Sequence, residues 1–422
     1  MTPEELVDAV TDYYLRSDDW NGLPAHVLLA GSPMTVADVK SLLRPLLERE
    51  SLSVNFGDIH PNPHIRALPD PPLEHQLRVL NASVDDRFVM YPTAATLINY
   101  VNPLSYAGRP FSLRLARGAP QLGFASFDLT VIDQYRRDPR YHWWTNDIQA
   151  TLSIGNEAYE SDQFPAKHKI LIQTLGFSYN SGLKRAVAVF LTDLDRLTPE
   201  HQQRWATFEL EGDYKLHPDF ARATIFGDWD VKASLRDAFV EELRAINAMC
   251  MAAGWPPLFR NAYAEPPVEL AFLIRPTVRE FNEFVHTLDK LISENINIAF
   301  FPDSISREIE ETRDDGKIIV KSRGSLALLE DWLRKSFHTT DWTPLKETFT
   351  TFRKVRKLRQ HPAHTINQDA YDEELFEKQR LLFGDAYDAI RTLRLTLQNH
   401  PRAQSVADRM NENVRDGNIW NY

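Results

Sequence analysis

Residues 277–296 read TVREFNEFVHTLDKLISENI. Val278, Phe281, Val285 and Leu288, then Leu291 and Ile292, recur at intervals of three and four, which lines one face of an α-helix with apolar side chains. The same period runs through SLALLEDWLRKSF (325–337) and PLKETFTTFRKVRKL (344–358). It continues in DEELFEKQRLLFGDAYDAIRTLRLTLQN (372–399), where Leu375, Leu382, Ala386, Ile390, Leu393 and Leu397 form one stripe that ends at His400-Pro401. A helical domain is therefore expected over 269–400. A polar tail, 401–422, follows, with Val406, Met410, Ile419, Trp420 and Tyr422 as its apolar residues.

Upstream the pattern shortens. SLSVNF (51–56), RFVMY (87–91), FSLRL (111–115) and LGFASF (122–127) read as short strands between turns such as HPNPHIRALPDPP (60–72). Helices are expected over Pro3–Arg16 and Thr35–Arg49, so 1–140 reads as a mixed α/β domain. The stretch 141–268 is strand-rich, through IQATLSI, KHKILIQTLGFSY and KRAVAVFLTDL, with LTPEHQQRW starting a helix capped by Thr198. The predicted fold class is multidomain α+β: a mixed and strand-rich N-terminal two thirds followed by an α-helical bundle. A chain of 422 residues is too long for one core.

Composition narrows the function. A formal net charge of −11 argues against broad attraction to nucleic acid, which is met first through excess Lys and Arg. Cys250, the single cysteine, forms no intrachain disulfide, and its setting in INAMCMAAG reads as core. No apolar run reaches the length that spans a bilayer and the first residues are acidic, so a cytoplasmic protein with no membrane partner is expected. Phosphate-binding P-loop, dinucleotide-binding, nucleophile-elbow and zinc-protease motifs are absent.

Several weaker patterns remain. Asp58, His60 and His64 have ligand chemistry for a transition metal, but stiff loops often expose histidines without one. Asp219 with Asp230 and Lys232, and Asp303 with Asp315 and Lys317, both fit a carboxylate–lysine nuclease pattern, and two unrelated fits show how cheap it is. Asp193 and Asp195 form an acid pair at a strand end. Tyr141, His142, Trp143 and Trp144 form an aromatic cluster beside Arg137 and Arg140, suited to base stacking or to a domain-junction core.

The strongest local signal is charge. Lys346, Arg353, Lys354, Arg356, Lys357 and Arg359 crowd into 346–364 against Glu347 alone, while 303–315 is acidic; the plain reading is two solvated helix faces of opposite sign. On a helical wheel Arg359 falls on the apolar side with Phe352 and Val355, where a charge needs a partner. Pro362 ends or kinks the helix, letting His364 turn back toward Arg359. A guanidinium that grips phosphate beside an imidazole that moves protons is phosphodiester chemistry. The alternative is structural, with Arg359 paired to Asp372 or Glu373 and His364 capping the helix.

Arg359-Gln360-His361-Pro362-Ala363-His364 resembles the Arg-x4-6-His motif of HEPN domains, in a Pro-Ala-His form placed before a long helix. The resemblance covers about the last third of the chain; the N-terminal two thirds resemble only uncharacterised bacterial proteins. It implies a helical bundle that forms a homodimer through the C-terminal domain. Arg359 and His364 of both copies would then build a metal-independent endoribonuclease site with no cofactor, acting in bacterial defence or stress. RNA would be the partner, bound by Arg353, Arg356, Lys357 and His361, with a partner protein alongside. The same resemblance covers non-catalytic dimerisation, RNA-binding and nucleotide-binding modules.

Overall fold

The computed structural model describes residues 1–422 except 59, 84, 166–168, 229–231, 313–317, 361–368 and 421–422. The chain separates into two compact units, Met1–Asp230 and Val231–Tyr422, where the sequence suggested divisions at 140 and 268. Two features move the boundary. Strand β4 of the large sheet lies before residue 140, and the first long helix of the second unit lies before residue 268.

In Met1–Asp230, β1 (Leu23–Pro24), β2 (Leu52–Asn55) and β3 (Val89–Pro92) form an antiparallel sheet in the order β1-β3-β2. Helices α1 (Pro3–Arg16), α2 (Val36–Glu48) and α3 (Leu73–Ala82) bury Leu6, Val10, Leu43, Leu47 and Leu80 in one cluster with Leu52, Val54 and Met90. Thr2 and Glu5 close a reciprocal cap on α1, satisfying two backbone amides that a helix start otherwise leaves open. The segment FSLRL, expected as a strand, is α4 (Pro110–Ala116). Pro110 takes the first helical position, and Phe111, Ser112, Leu115 and Ala116 bury one helical face.

The larger sheet uses β4 (Phe124–Phe127), β5 (Tyr141–Thr145), β6 (Gln149–Ile154), β7 (Leu171–Tyr179), β8 (Arg185–Phe190) and β9 (Lys215–Leu216). It is antiparallel, in the order β4-β8-β7-β6-β5, with β9 on β7. Helices α5 (Pro199–Ala206) and α6 (Pro218–Phe226) follow β8, and α5 carries the expected Thr198 cap. Phe220 of α6 lies over Gly176 of β7, leaving no room there for a Cβ.

The second unit is the expected helical region. Its long helices are α7 (Leu235–Ala253), α8 (Val278–Leu291), α9 (Ser325–Ser336), α10 (Thr343–Gln360) and α11 (Glu374–Gln398). Val285, Leu288, Phe352, Val355, Leu382, Ala386 and Ile390 share one core. The tail docks: Trp420 is buried, its amide donates to Ala233 O, and Ala233 N donates back to Asn418 O. One element departs from the helical pattern. The hairpin β10 (Glu308–Thr312) and β11 (Ile318–Ser322) stands where the acidic helix face was expected, because Ile309 and the β-branched run Ile318-Ile319-Val320 favour extended backbone.

Candidate functional site

Arg359 lies in the last turn of α10, only 29% exposed, and it has partners. Its Nη1 donates to Asp289 Oδ2 at 2.8 Å and also to Glu294 Oε1. Asp289, on α8, is completely buried and accepts a second hydrogen bond, from Ser293 Oγ. The bond to Asp289, reinforced by Glu294, raises the guanidinium's proton affinity further, so Arg359 is a permanent cation. The partners expected from sequence, Asp372 and Glu373, are not its partners: Asp372 receives the Glu374 amide and pairs with Lys378 at 3.3 Å. His361 and His364 lie outside the described residues.

Both flanks of 361–368 are fastened to α8. Arg359 meets its C-terminal end through Asp289 and Glu294. At its N-terminal end, Asp369 Oδ1 accepts the Arg279 amide at 2.9 Å and Ala370 O accepts the Val278 amide.

The other α10 cations divide into two sets. Arg353 pairs with Glu330 of α9 and lies 5.7 Å from the Phe349 ring centroid, and Lys354 pairs with Asp385 of α11 at 3.0 Å. Burial opposes ionisation of Glu330, yet hydrogen bonds from Arg334 and Arg353 outweigh it and hold the carboxyl below its usual range. Among the described residues, no carboxylate pairs with Lys346, Arg356 or Lys357. The carboxylates that pair with Arg353, Lys354 and Arg359 all lie outside 303–315.

Sequence reasoning missed Asp289. The signal was present: Asp289 lies beside Leu288 within the apolar stripe of α8, and a carboxylate buried there needs a cation.

The remaining candidates separate. His60 Nε2 lies 2.9 Å from Ile225 O and His75, not His60 or His64, pairs with Asp58 at 2.5 Å. No group of three or more metal-ligating side chains occurs among the described residues. Asp195 accepts from Trp20 Nε1 at 2.7 Å, whereas burial raises the Asp193 carboxyl to about 6. Of the carboxylate–lysine patterns, Asp230, Asp315 and Lys317 lie outside the described residues. Trp144 and His142 lie on the outer face of β5, while Cys250 is buried as expected, its thiol pushed up to about 12. No described helix is long and apolar enough to cross a membrane.

The chain matches no known family model, no curated protein and no solved structure.

Proposed function

We propose that the Val231–Tyr422 unit is a HEPN-like helical module that binds RNA without cleaving it. Arg359 acts as an internal brace, and Arg356 and Lys357, with Lys346, form the contact surface. One observation carries this reading: Arg359 is committed to two carboxylates, while among the described residues no carboxylate pairs with Arg356 or Lys357. One guanidinium against Asp289 and Glu294 leaves a local net charge of −1, which repels a phosphate. Lys346, Arg356 and Lys357 have no such competitor among the described residues and supply the electrostatic contact that single-stranded RNA needs.

The test is anisotropy of a labelled single-stranded RNA with the full chain across salt concentrations. Arg356→Ala/Lys357→Ala should weaken binding and flatten the salt dependence by about 0.7 in logarithmic slope per lost contact. Arg353→Ala, which removes a neutralised cation, should do neither. No binding by wild type at low salt, or equal binding by all variants, refutes the module.

A second reading is favoured by element order, since α10 ends at Gln360 and the long α11 follows. Here a homodimer cleaves RNA without metal in a cytoplasmic bacterial defence or stress system, using Arg359 to hold phosphate and His364 to move protons, with a partner protein controlling it. Incubation with mixed RNA in EDTA, wild type against His364→Ala, decides between the two. Cleavage lost in the variant replaces the binding module with an enzyme.

A further inference from the structure

We propose that β11 (Ile318–Ser322) is a self-pairing edge: two copies of this chain join β11 to β11 antiparallel about Val320, making a four-stranded sheet from two hairpins. The inference is independent of RNA binding by α10.

The hairpin is unusually bare. Nine of the ten residues in β10 and β11 are exposed and Ile319 is half-buried, and among the described residues no further strand pairs with either edge. Ile309, Ile318 and Val320 are 56%, 64% and 54% exposed. Two strands alone are marginal in water and gain from further strands.

Hydrogen-bond register shows which groups are available. Arg323 N donates to Arg307 O, and Ile309 pairs with Lys321 and Glu311 with Ile319 across the hairpin. By antiparallel alternation, the backbone groups of Ile318, Val320 and Ser322 then point away from β10. A two-fold axis at Val320 sets Val320 opposite Val320 of the second copy and Ile318 opposite Ser322. Each outward amide and carbonyl finds a partner, and Ile318 and Val320 of both copies join in one apolar stripe.

Charge selects this edge and this register. Pairing the other edge, β10 with β10, over the same span sets Glu310 opposite Glu310, a like-charge contact that disfavours it. Along β11, a two-residue slip either way shortens the overlap to three residues, and one of the two also sets Lys321 opposite Lys321. In the register centred on Val320, Lys321 lies opposite Ile319 and, within Ile318–Ser322, no like charges meet. Lys321 also keeps its own partner, Glu311.

A single strand pair belongs to the small, weak class of interfaces, so association is read up to about 100 µM. Light scattering of the full chain should show mass rising from the 48.7 kDa monomer toward twice that value. Val320→Pro removes the central amide and should hold the chain as monomer with an unchanged circular dichroism spectrum and melt. Val320→Cys places two thiols on Cα atoms about 5.5 Å apart, within disulfide reach. Because Cys250 is buried, this new thiol is the reactive one, and mild oxidation should give a covalent dimer. Ile309→Cys, on strands separated by about 14 Å in the same sheet, should not. A wild-type monomer throughout the range refutes the proposal. So does a dimer that survives Val320→Pro, or one that cross-links no better at Val320 than at Ile309.

Discussion

Replacing Arg359 with alanine removes the cation facing a fully buried carboxylate. Among the described side chains, Asp289 then keeps only the hydrogen bond from Ser293 Oγ. Breaking a fully buried ion pair costs about 3–5 kcal/mol. Arg359 is 29% exposed and Glu294 39%, so water recovers part of that, and the expected loss is about 2–3 kcal/mol. Asp289→Asn should cost less, about 1–2 kcal/mol, because Arg359 retains Glu294 and some solvent. The double variant should be no less stable than Arg359→Ala alone, giving a coupling of about 1–2 kcal/mol. Because the chain holds two units, native-state hydrogen exchange on α8 and α10 reads the local effect more directly than a single melt. RNA binding per folded molecule should not change. A coupling under about 0.5 kcal/mol removes the brace. Unchanged stability with RNA binding or cleavage abolished makes Arg359 a functional residue instead.

Asp193 should make stability pH-dependent. Its folded pKa of about 6 lies above the ordinary 3.8, so the unfolded chain ionises first and stability falls as pH rises from about 4 to about 6. Asp193→Asn should therefore stabilise at pH 7 by up to about 3 kcal/mol and by little at pH 4, read by urea unfolding at both values. Glu242→Gln in α7 strips the counter-charge from Arg394, 1% exposed and 2.8 Å away, and should cost about 3–5 kcal/mol in the same assay. Trp420→Ala should release the tail at a cost of about 3–5 kcal/mol, seen as lost amide protection at Ala233 and Trp420. Equal exchange in wild type and variant would show that the tail is held elsewhere.

The helices of the second unit were legible because their apolar stripes are long: α8, α10 and α11 each repeat the three-and-four spacing for several turns. FSLRL was not, since Phe111, Leu113 and Leu115 alternate over five residues and satisfy a strand period as well as a helical turn. Only Pro110 and burial of consecutive Leu115 and Ala116 distinguish the two. The hairpin escaped for the opposite reason. Its first strand, EIEET, is dominated by charges that suggest a solvated helix, and pairing with Ile318-Ile319-Val320 is what makes it extended. Thr198 as a cap was visible because it depends on local chemistry, whereas local chemistry left docking of the tail open, because Trp420 bonds to Ala233, far away in sequence. The partner of Arg359 was not, because Asp289 lies 70 residues away in sequence and nothing local connects them.

The concentration of cations on α10 acquires a double meaning in an acidic chain. Arg353, Lys354 and Arg359 each meet carboxylates from outside α10: Glu330 on α9, Asp385 on α11, and Asp289 and Glu294 at the end of α8. Half of the six cations thus tie α10 to its neighbours. Surface pairs of this kind contribute little each, but Arg359 with buried Asp289 ties the last turn of α10 to α8. A cation used in that way is screened from any polyanion. Electrostatic reach among the described α10 cations therefore rests with Lys346, Arg356 and Lys357, and on the proposed reading a variant that moved the Arg359 pair to an uncharged one of similar volume should keep both the fold and the RNA affinity of wild type.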